Sequence, residues 1–347
     1  MRVQTEFVDL PRTGGVMRVM LARPADDLPR PALVFYSDIF QLTESTQRMI
    51  LRFAGYGFVV AAPEIYWRYE APGTAYVFDD AGRDRGQACA KRMSVRDFDD
   101  DIAALLAFVA ARTGVIAEQI GAVGFCLGGH VGFRAALSPL VKATALFYPT
   151  GLHDGDLAGD GDAGSLARAG EIGGPLLTIF GRIDPHTDAT GRETVQRGLD
   201  AAGIRHRISL YDAEHAFMRD VGARYDPSAT DAAFAESIAW FREAGLTRVF
   251  LCAVDTLTEG EPKRIAVSGY EPLTVVGIAG RYFALSDECS HGMASLSDGW
   301  VEDGNLICSL HSGGFSLETG EATVPPCTDA IRRYDVVRDG DALFLAS

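Results

Sequence analysis

The sequence predicts a mostly parallel β-sheet with helices on both faces, followed by a small all-β domain. Two observations carry that reading. Apolar, β-branched runs alternate with helical segments through the first two-thirds of the chain, the pattern of a parallel sheet covered on both sides. After about Gly245 the texture changes to short β-rich segments broken by Asp-Gly turns. The chain's 347 residues suffice for two domains at roughly 150 residues each, and the boundary is expected between residues 1–245 and 246–347.

In chain order, strands are expected at residues 31–36, 57–61, 119–124, 142–148, 175–180 and 206–211, each a short apolar run. Residues 99–112 read as a helix, with Ile102, Leu105, Leu106 and Val109 on one face. Residues 151–174 are rich in Gly and Asp and read as a surface loop or insertion. A final helix at 229–244 closes this domain. In the second domain, β segments are expected at 248–252, 265–267, 273–278, 282–285, 306–309 and 331–337. Turns are expected at Asp298-Gly299, Asp303-Gly304 and Asp339-Gly340.

A hydrophobic fraction of 47% and a charged fraction of 23% are those of a globular protein. No apolar run approaches the roughly 18–20 residues that a membrane span needs. The first fifteen residues hold no continuous apolar core, so no signal peptide is expected and the cytoplasm is the default location. Residues 247–347 carry 15 of the chain's 47 acidic side chains but only 7 of its 32 basic ones. That excess of acid disfavours nucleic acid as a partner and suits either solubility or a basic protein partner. The cysteines are Cys89, Cys126, Cys252, Cys289, Cys308 and Cys327. Without an export signal a disulfide framework is not expected, and Cys252 and Cys327 read as small buried hydrophobes.

Gly124-Phe125-Cys126-Leu127-Gly128-Gly129 follows an expected strand and precedes a helix. This is the nucleophile-elbow pattern with Cys in place of Ser. Glycines flank the nucleophile because the turn leaves no room for side chains, and the N–H of Leu127 then points at the carbonyl under attack. A second oxyanion donor is expected after Tyr36, at the N–H of Ile39. An acid and a base should follow in the order nucleophile, acid, base. Asp184 and His215 do so, each just beyond the C-terminal end of an expected strand, where ligands bind open α/β sheets. Cys126 alone would read as a buried structural cysteine and His215 alone as a surface residue. The three together read as a Cys–His–Asp hydrolase.

Residues 1–245 resemble the dienelactone hydrolase family, which implies the α/β hydrolase fold. The resemblance is carried by Ser37-Asp38-Ile39-Phe40, Ala62-Pro63-Glu64-Ile65-Tyr66, Ala71-Pro72-Gly73-Thr74-Ala75, the elbow, Asp184 and His215. It implies that the active-site thiol rests against a carboxylate. Asp38 stands at that position, where the family usually has Glu. It also implies two arginines gripping the substrate carboxylate, matched by Arg85 and Arg219. Cys89 stands where the family tends to have tyrosine, and the 151–174 stretch is longer than usual.

Cys289-Ser290-His291 and Cys308-Ser309-Leu310-His311 each supply one thiolate and one imidazole. This C-x-H…C-x-x-H pattern resembles the Rieske ferredoxin family, as do Leu296-Ser297-Asp298-Gly299 and Ser312-Gly313-Gly314-Phe315. The resemblance implies a [2Fe–2S] cluster with Cys289 and Cys308 on one iron and His291 and His311 on the other. Zinc is the alternative, since it too takes Cys₂His₂, although zinc fingers usually pair like with like. High-potential Rieske proteins carry an extra disulfide between the ligand loops. The matching positions here are Ala294 and Ser309, so the resemblance implies a low-potential ferredoxin. It would carry electrons from a ferredoxin reductase to a separate terminal oxygenase.

Together these readings describe a fusion for aromatic catabolism, a lactone or ester hydrolase joined to an electron carrier for a ring-hydroxylating dioxygenase. Two alternatives stay open: a ferredoxin with an inactive hydrolase domain, and a hydrolase regulated by the redox state of the cluster.

Overall fold

Alternation along the central strands sets the architecture of the first unit. In the strand Arg30–Tyr36, Leu33 and Phe35 face one buried cluster while Ala32, Val34 and Tyr36 face another. A strand buried on both faces reads as one continuous apolar run and requires helices on each side. The computed structural model describes residues 2–26, 29–246, 249–267 and 270–345. The chain divides into two compact units, Met1–Thr247 and Arg248–Ser347.

The first unit is built on strands β1 (Val3–Arg12), β2 (Gly15–Pro24), β3 (Arg30–Tyr36), β4 (Val59–Pro63), β5 (Val115–Phe125), β6 (Val141–Phe147), β7 (Asp156–Ala158), β8 (Gly161–Asp162), β9 (Leu176–Gly181) and β10 (His206–Tyr211). Eight of them form one sheet in the order β1-β2-β4-β3-β5-β6-β9-β10. From β4 to β10 all neighbours are parallel, whereas β1 and β2 run antiparallel at one edge. Helices α1 (Glu44–Gly55), α2 (Asp80–Arg92), α3 (Val95–Ala110), α4 (Leu127–Ala136), α5 (Ala189–Ala202) and α6 (Pro227–Glu243) connect and cover it. One face packs Phe35, Phe125 and Phe147 against Phe53 of α1 and Phe234, Trp240 and Phe241 of α6. The other packs Val34, Tyr36 and Ala122 against Ile102, Leu105, Leu106 and Val109 of α3 and Val131 of α4. The unit has the α/β hydrolase fold.

Three differences from the expected elements have physical reasons. The β1–β2 hairpin was not foreseen: β1 is an edge strand, largely exposed, so it carries no apolar run. Helix α3 starts four residues early because Ser94 caps it, exchanging hydrogen bonds with Asp97 in a capping box. The 151–174 stretch holds the small β7–β8 hairpin and a 3₁₀ turn, Leu166–Glu171. It is pinned rather than loose. Arg134 of α4 bonds the Ala163 carbonyl and Ser165 Oγ, and buried His130 meets the same hydroxyl at 2.8 Å.

The second unit is all β, with antiparallel sheets. One joins Val249–Ala253, Ala342–Leu345 and Val336–Asp339; a second runs Lys263–Ile265, Leu273–Ile278, Arg281–Ser286 and Arg333–Tyr334. A third runs Trp300–Glu302, Asn305–Ile307, Gly314–Ser316 and Ala322–Val324. The Asp303-Gly304 turn has positive φ at both residues (48° and 77°), as a tight two-residue hairpin requires. Asp298-Gly299 instead ends a 3₁₀ turn, Leu296–Asp298. Residue 248, the first of the strand expected at 248–252, lies outside the described residues, as does residue 247. Among the described residues no helix is long and apolar enough to cross a membrane.

Candidate functional site

Strand β5 runs into helix α4 through Cys126, whose φ of 56° and ψ of −121° are unusual for a residue with a side chain. The turn is tight because glycine allows it. A Cβ on Gly124 would lie 1.9 Å from the Gly128 carbonyl oxygen, and one on Gly128 would lie 2.2 Å from that of Tyr36. The thiol-bearing residue is held from both sides: its N–H donates to Phe147 O at 3.0 Å, and its carbonyl accepts from Gly129 and Thr150. Cys126 is nearly buried, with Sγ 4.0 Å from Thr150 Oγ1. Leu127 opens α4, so its N–H has no acceptor within the helix.

Asp184 and His215 stand in the loops after β9 and β10. Their side chains meet at 2.7 Å between Oδ2 and Nδ1, and both residues are buried. Asp184 Oδ1 accepts from the His186 N–H at 2.8 Å, which fixes the carboxylate plane. With Nδ1 engaged, Nε2 is left for Cys126. Burial alone would pull the His215 proton off. The negative charge of a Cys126 thiolate and the Asp184 hydrogen bond outweigh burial and push His215 up to about 9. His186, unremarked in the sequence, packs edge-on with ring centroids 4.5 Å apart. Its own basicity is lowered, by burial first and by His215 second. Buried Tyr148, at positive φ, also packs edge-on to His215, with centroids 5.0 Å apart.

The expected contact between the thiol and Asp38 is replaced by another. Asp38 Oδ2 accepts from Arg219 Nη2 at 2.6 Å and Oδ1 from the Phe40 N–H at 2.9 Å. Its side chain is shorter than the Glu usual there, and the neighbouring guanidinium takes it. Arg219 is also stacked on Phe40 and Phe78. Arg85 departs further from expectation. It is paired through Nε and Nη2 with Glu70, which also accepts from Tyr76, and it is absent from the wall of the cavity that holds Cys126. That cavity, of about 380 Å³, is lined by Ile39, Cys126, Leu127, His186, His215 and Arg219 among others. Helix α2 offers it Arg83, Gln87 and Lys91 instead, and the 151–174 insertion adds Asp154, Asp156 and Leu157.

In the second unit two loops converge. Cys289 and Cys308 are buried, whereas His291 and His311 are exposed with ring centroids 5.0 Å apart and planes at 87°. The first loop is braced by buried Asp287, which accepts from Thr274, Ser295 and the Ser297 N–H. The second is a tight turn: Ser312 N–H donates to Cys308 O, and Cys308 N–H to Gly313 O. Burial above all pushes the Cys308 thiol up, and the backbone at Leu310 and His311 opposes that shift.

Residues 17–245 match the model of the dienelactone hydrolase family. The chain belongs to that family. Its C-terminal part, residues 247–335, matches the Rieske [2Fe-2S] domain. Over 208 residues the dienelactone hydrolase domain is 32% identical to a "Putative carboxymethylenebutenolidase" of Saccharomyces cerevisiae, covering 58% of this chain and 76% of that relative. Over 101 residues the Rieske domain is 40% identical to the 3-phenylpropionate/cinnamic acid dioxygenase ferredoxin subunit of Escherichia coli (strain K12), covering 29% of this chain and 93% of that relative. A crystal structure titled as a putative dienelactone hydrolase from Klebsiella pneumoniae superposes with a TM-score of 0.63 at 25% identity, covering 70% of this chain and all of that one.

The Rieske domain holds a [2Fe–2S] cluster of the Rieske type, and the residues present fit it. Among the described residues no three His, Cys, Asp or Glu side chains are arranged to hold a single metal ion. The donors come instead as a buried thiol pair and an exposed imidazole pair, the division that a two-iron group with unlike irons requires. Beyond the pattern's four ligands lies Cys327, read from the sequence as a small buried hydrophobe. It is buried, but its sulfur is 3.8 Å from that of Cys289. Only its place after Pro325-Pro326, far from the ligand pairs in sequence, hid it.

Proposed function

We propose that this protein is a bifunctional fusion: residues 1–245 act as a cysteine hydrolase on a carboxylate-bearing lactone or ester, and residues 246–347 act as a ferredoxin for a ring-hydroxylating dioxygenase. The buried 2.7 Å Asp184–His215 pair beside a thiol on a strained elbow carries the hydrolase reading. Cys126 attacks the substrate carbonyl as thiolate, and the N–H groups of Leu127 and Ile39 receive the oxyanion. When the ester C–O bond breaks, the leaving oxygen takes the proton from His215 Nε2. His215, held in one tautomer by Asp184, then accepts a proton from water, which hydrolyses the thioester and releases the Cys126 thiolate. Arg219 lines the cavity and its guanidinium keeps an Nε without an acceptor, and this supports its role in holding the substrate carboxylate. Arg85, committed to Glu70, has less support in that role.

The cluster, when bound, supplies one-electron transfer. Cys289 and Cys308 hold one iron and His291 and His311 the other. The exposed imidazoles, flanked by exposed Met293 and Leu310, suit contact with a redox partner. A ferredoxin reductase would supply the electron and a terminal oxygenase receive it, in keeping with the dioxygenase ferredoxin subunit among the relatives.

The test measures dienelactone hydrolysis by the purified chain and by Cys126→Ala, then oxygenase turnover with the chain as sole carrier. Robust hydrolysis lost in the variant, with turnover that requires the chain, is the expected result. No hydrolysis by either form would overturn the hydrolase reading, and no turnover would overturn the carrier reading.

A further inference from the structure

Three thiols, not two, gather at the cluster site. Cys327 Sγ lies 3.8 Å from Cys289 Sγ, within hydrogen-bond reach for sulfur, and Cys289, Cys308 and Cys327 are all at least nine-tenths buried. The position is filled to contact. A Cβ on Gly313, in the second ligand loop, would lie 2.4 Å from the Cys327 sulfur. Cys327 therefore packs against one ligand and against the loop that presents the other.

Ligation decides the direction of the 3.8 Å contact. A cysteine binds iron only as thiolate, so Cys289 can then accept a hydrogen bond but not donate one. Cys327, which is not one of the four ligands, keeps its S–H and is the only partner of the two able to donate. The Cys289 sulfur thus faces a side-chain thiol.

We propose that Cys327 is a positioning residue for the cluster, donating its S–H to the Cys289 sulfur and thereby raising the reduction potential. A donor on a ligand sulfur withdraws negative charge from the cluster. It favours the reduced form, which carries one electron more. Burial keeps water from replacing this donor if the thiol is removed.

The test is a redox titration of the full-length, cluster-loaded protein followed by the EPR signal of the reduced cluster. Wild type is compared with Cys327→Val, which fills the space without a donor, and Cys327→Ser, which keeps one. Cys327→Ala replaces the valine variant if that one does not load. The expected order of midpoint potentials is wild type highest, serine next and valine lowest. A valine variant equal to wild type overturns the proposal. So does a serine variant no higher than valine, because packing rather than a proton would then be responsible.

Discussion

Arg219 donates to Asp38 at 2.6 Å across 181 residues of sequence, tying the loop after β10 to the loop after β3. The side chains are 16% and 10% exposed, so each charge depends on the other for its compensation. Removing one partner of a buried pair leaves a charge stranded at a cost of roughly 3–5 kcal/mol. Asp38→Ala is expected to destabilise the hydrolase unit by an amount toward the lower end of that range, because both groups keep some water. Arg219→Ala added to it should recover part of the loss. Urea unfolding of the two single variants and the double variant measures this, and strictly additive losses would contradict it.

The proposed hydrolase takes its pH dependence from His215. Its folded value of about 9 exceeds the ordinary 6.5 because the thiolate charge and the Asp184 bond outweigh burial. Folding therefore takes up a proton between those two values. The stabilisation from this group is complete below about 6.5 and is lost as pH rises through about 9. In the proposed mechanism the proton for the leaving oxygen is lost over the same range, so kcat/KM is expected to fall on an alkaline limb near pH 9. Asp184→Asn removes a cause of the upward shift and should move that limb to lower pH. A limb that does not move would show that another group sets it.

The elbow holds Cys126 in a strained backbone conformation. Cys126 is held at φ 56°, where a side chain costs of order 1 kcal/mol or more. Cys126→Gly should abolish hydrolysis while leaving the thermal midpoint unchanged or higher, since relief of strain offsets the lost packing. Gly124→Ala should do the opposite to stability, because its Cβ meets the Gly128 carbonyl at 1.9 Å. Calorimetry of both variants separates the two effects, and a stable Gly124→Ala would contradict the close approach.

Much of this was legible before the structure, and the rest was not for identifiable reasons. Strands buried on both faces announce themselves as apolar runs, so the strand expected at 31–36 was placed to within one residue of Arg30–Tyr36. Edge strand β1 has no such run. The elbow and the Asp184–His215 pair were legible because their spacing and order follow from chemistry. The partners of Asp38 and Arg85 were not. A carboxylate's choice among neighbouring donors depends on reach in space: Asp38 is captured by Arg219, and Arg85 by Glu70 fifteen residues away. The nearness of Cys327 to Cys289 is likewise a contact between loops 38 residues apart, which no local pattern encodes.

Gly313 tests the packing at the cluster from the other side. Its absent Cβ leaves the space that the Cys327 sulfur fills, and real Cβ atoms do not approach sulfur at 2.4 Å. Gly313→Ala must therefore displace either Cys327 or the turn that carries Cys308 and His311. Because Cys308 N–H bonds the Gly313 carbonyl at 2.8 Å, the turn cannot move without moving a ligand. The expected result is a clear loss of iron and labile sulfide per chain, with hydrolase activity retained. Adding Cys327→Ala to Gly313→Ala removes the atom in collision and should restore much of the cluster content. Metal and sulfide analysis of the wild type, the Gly313→Ala variant and the double variant decides it. If the double variant stays as empty as Gly313→Ala, the damage comes from the backbone of the turn rather than from the sulfur beside it.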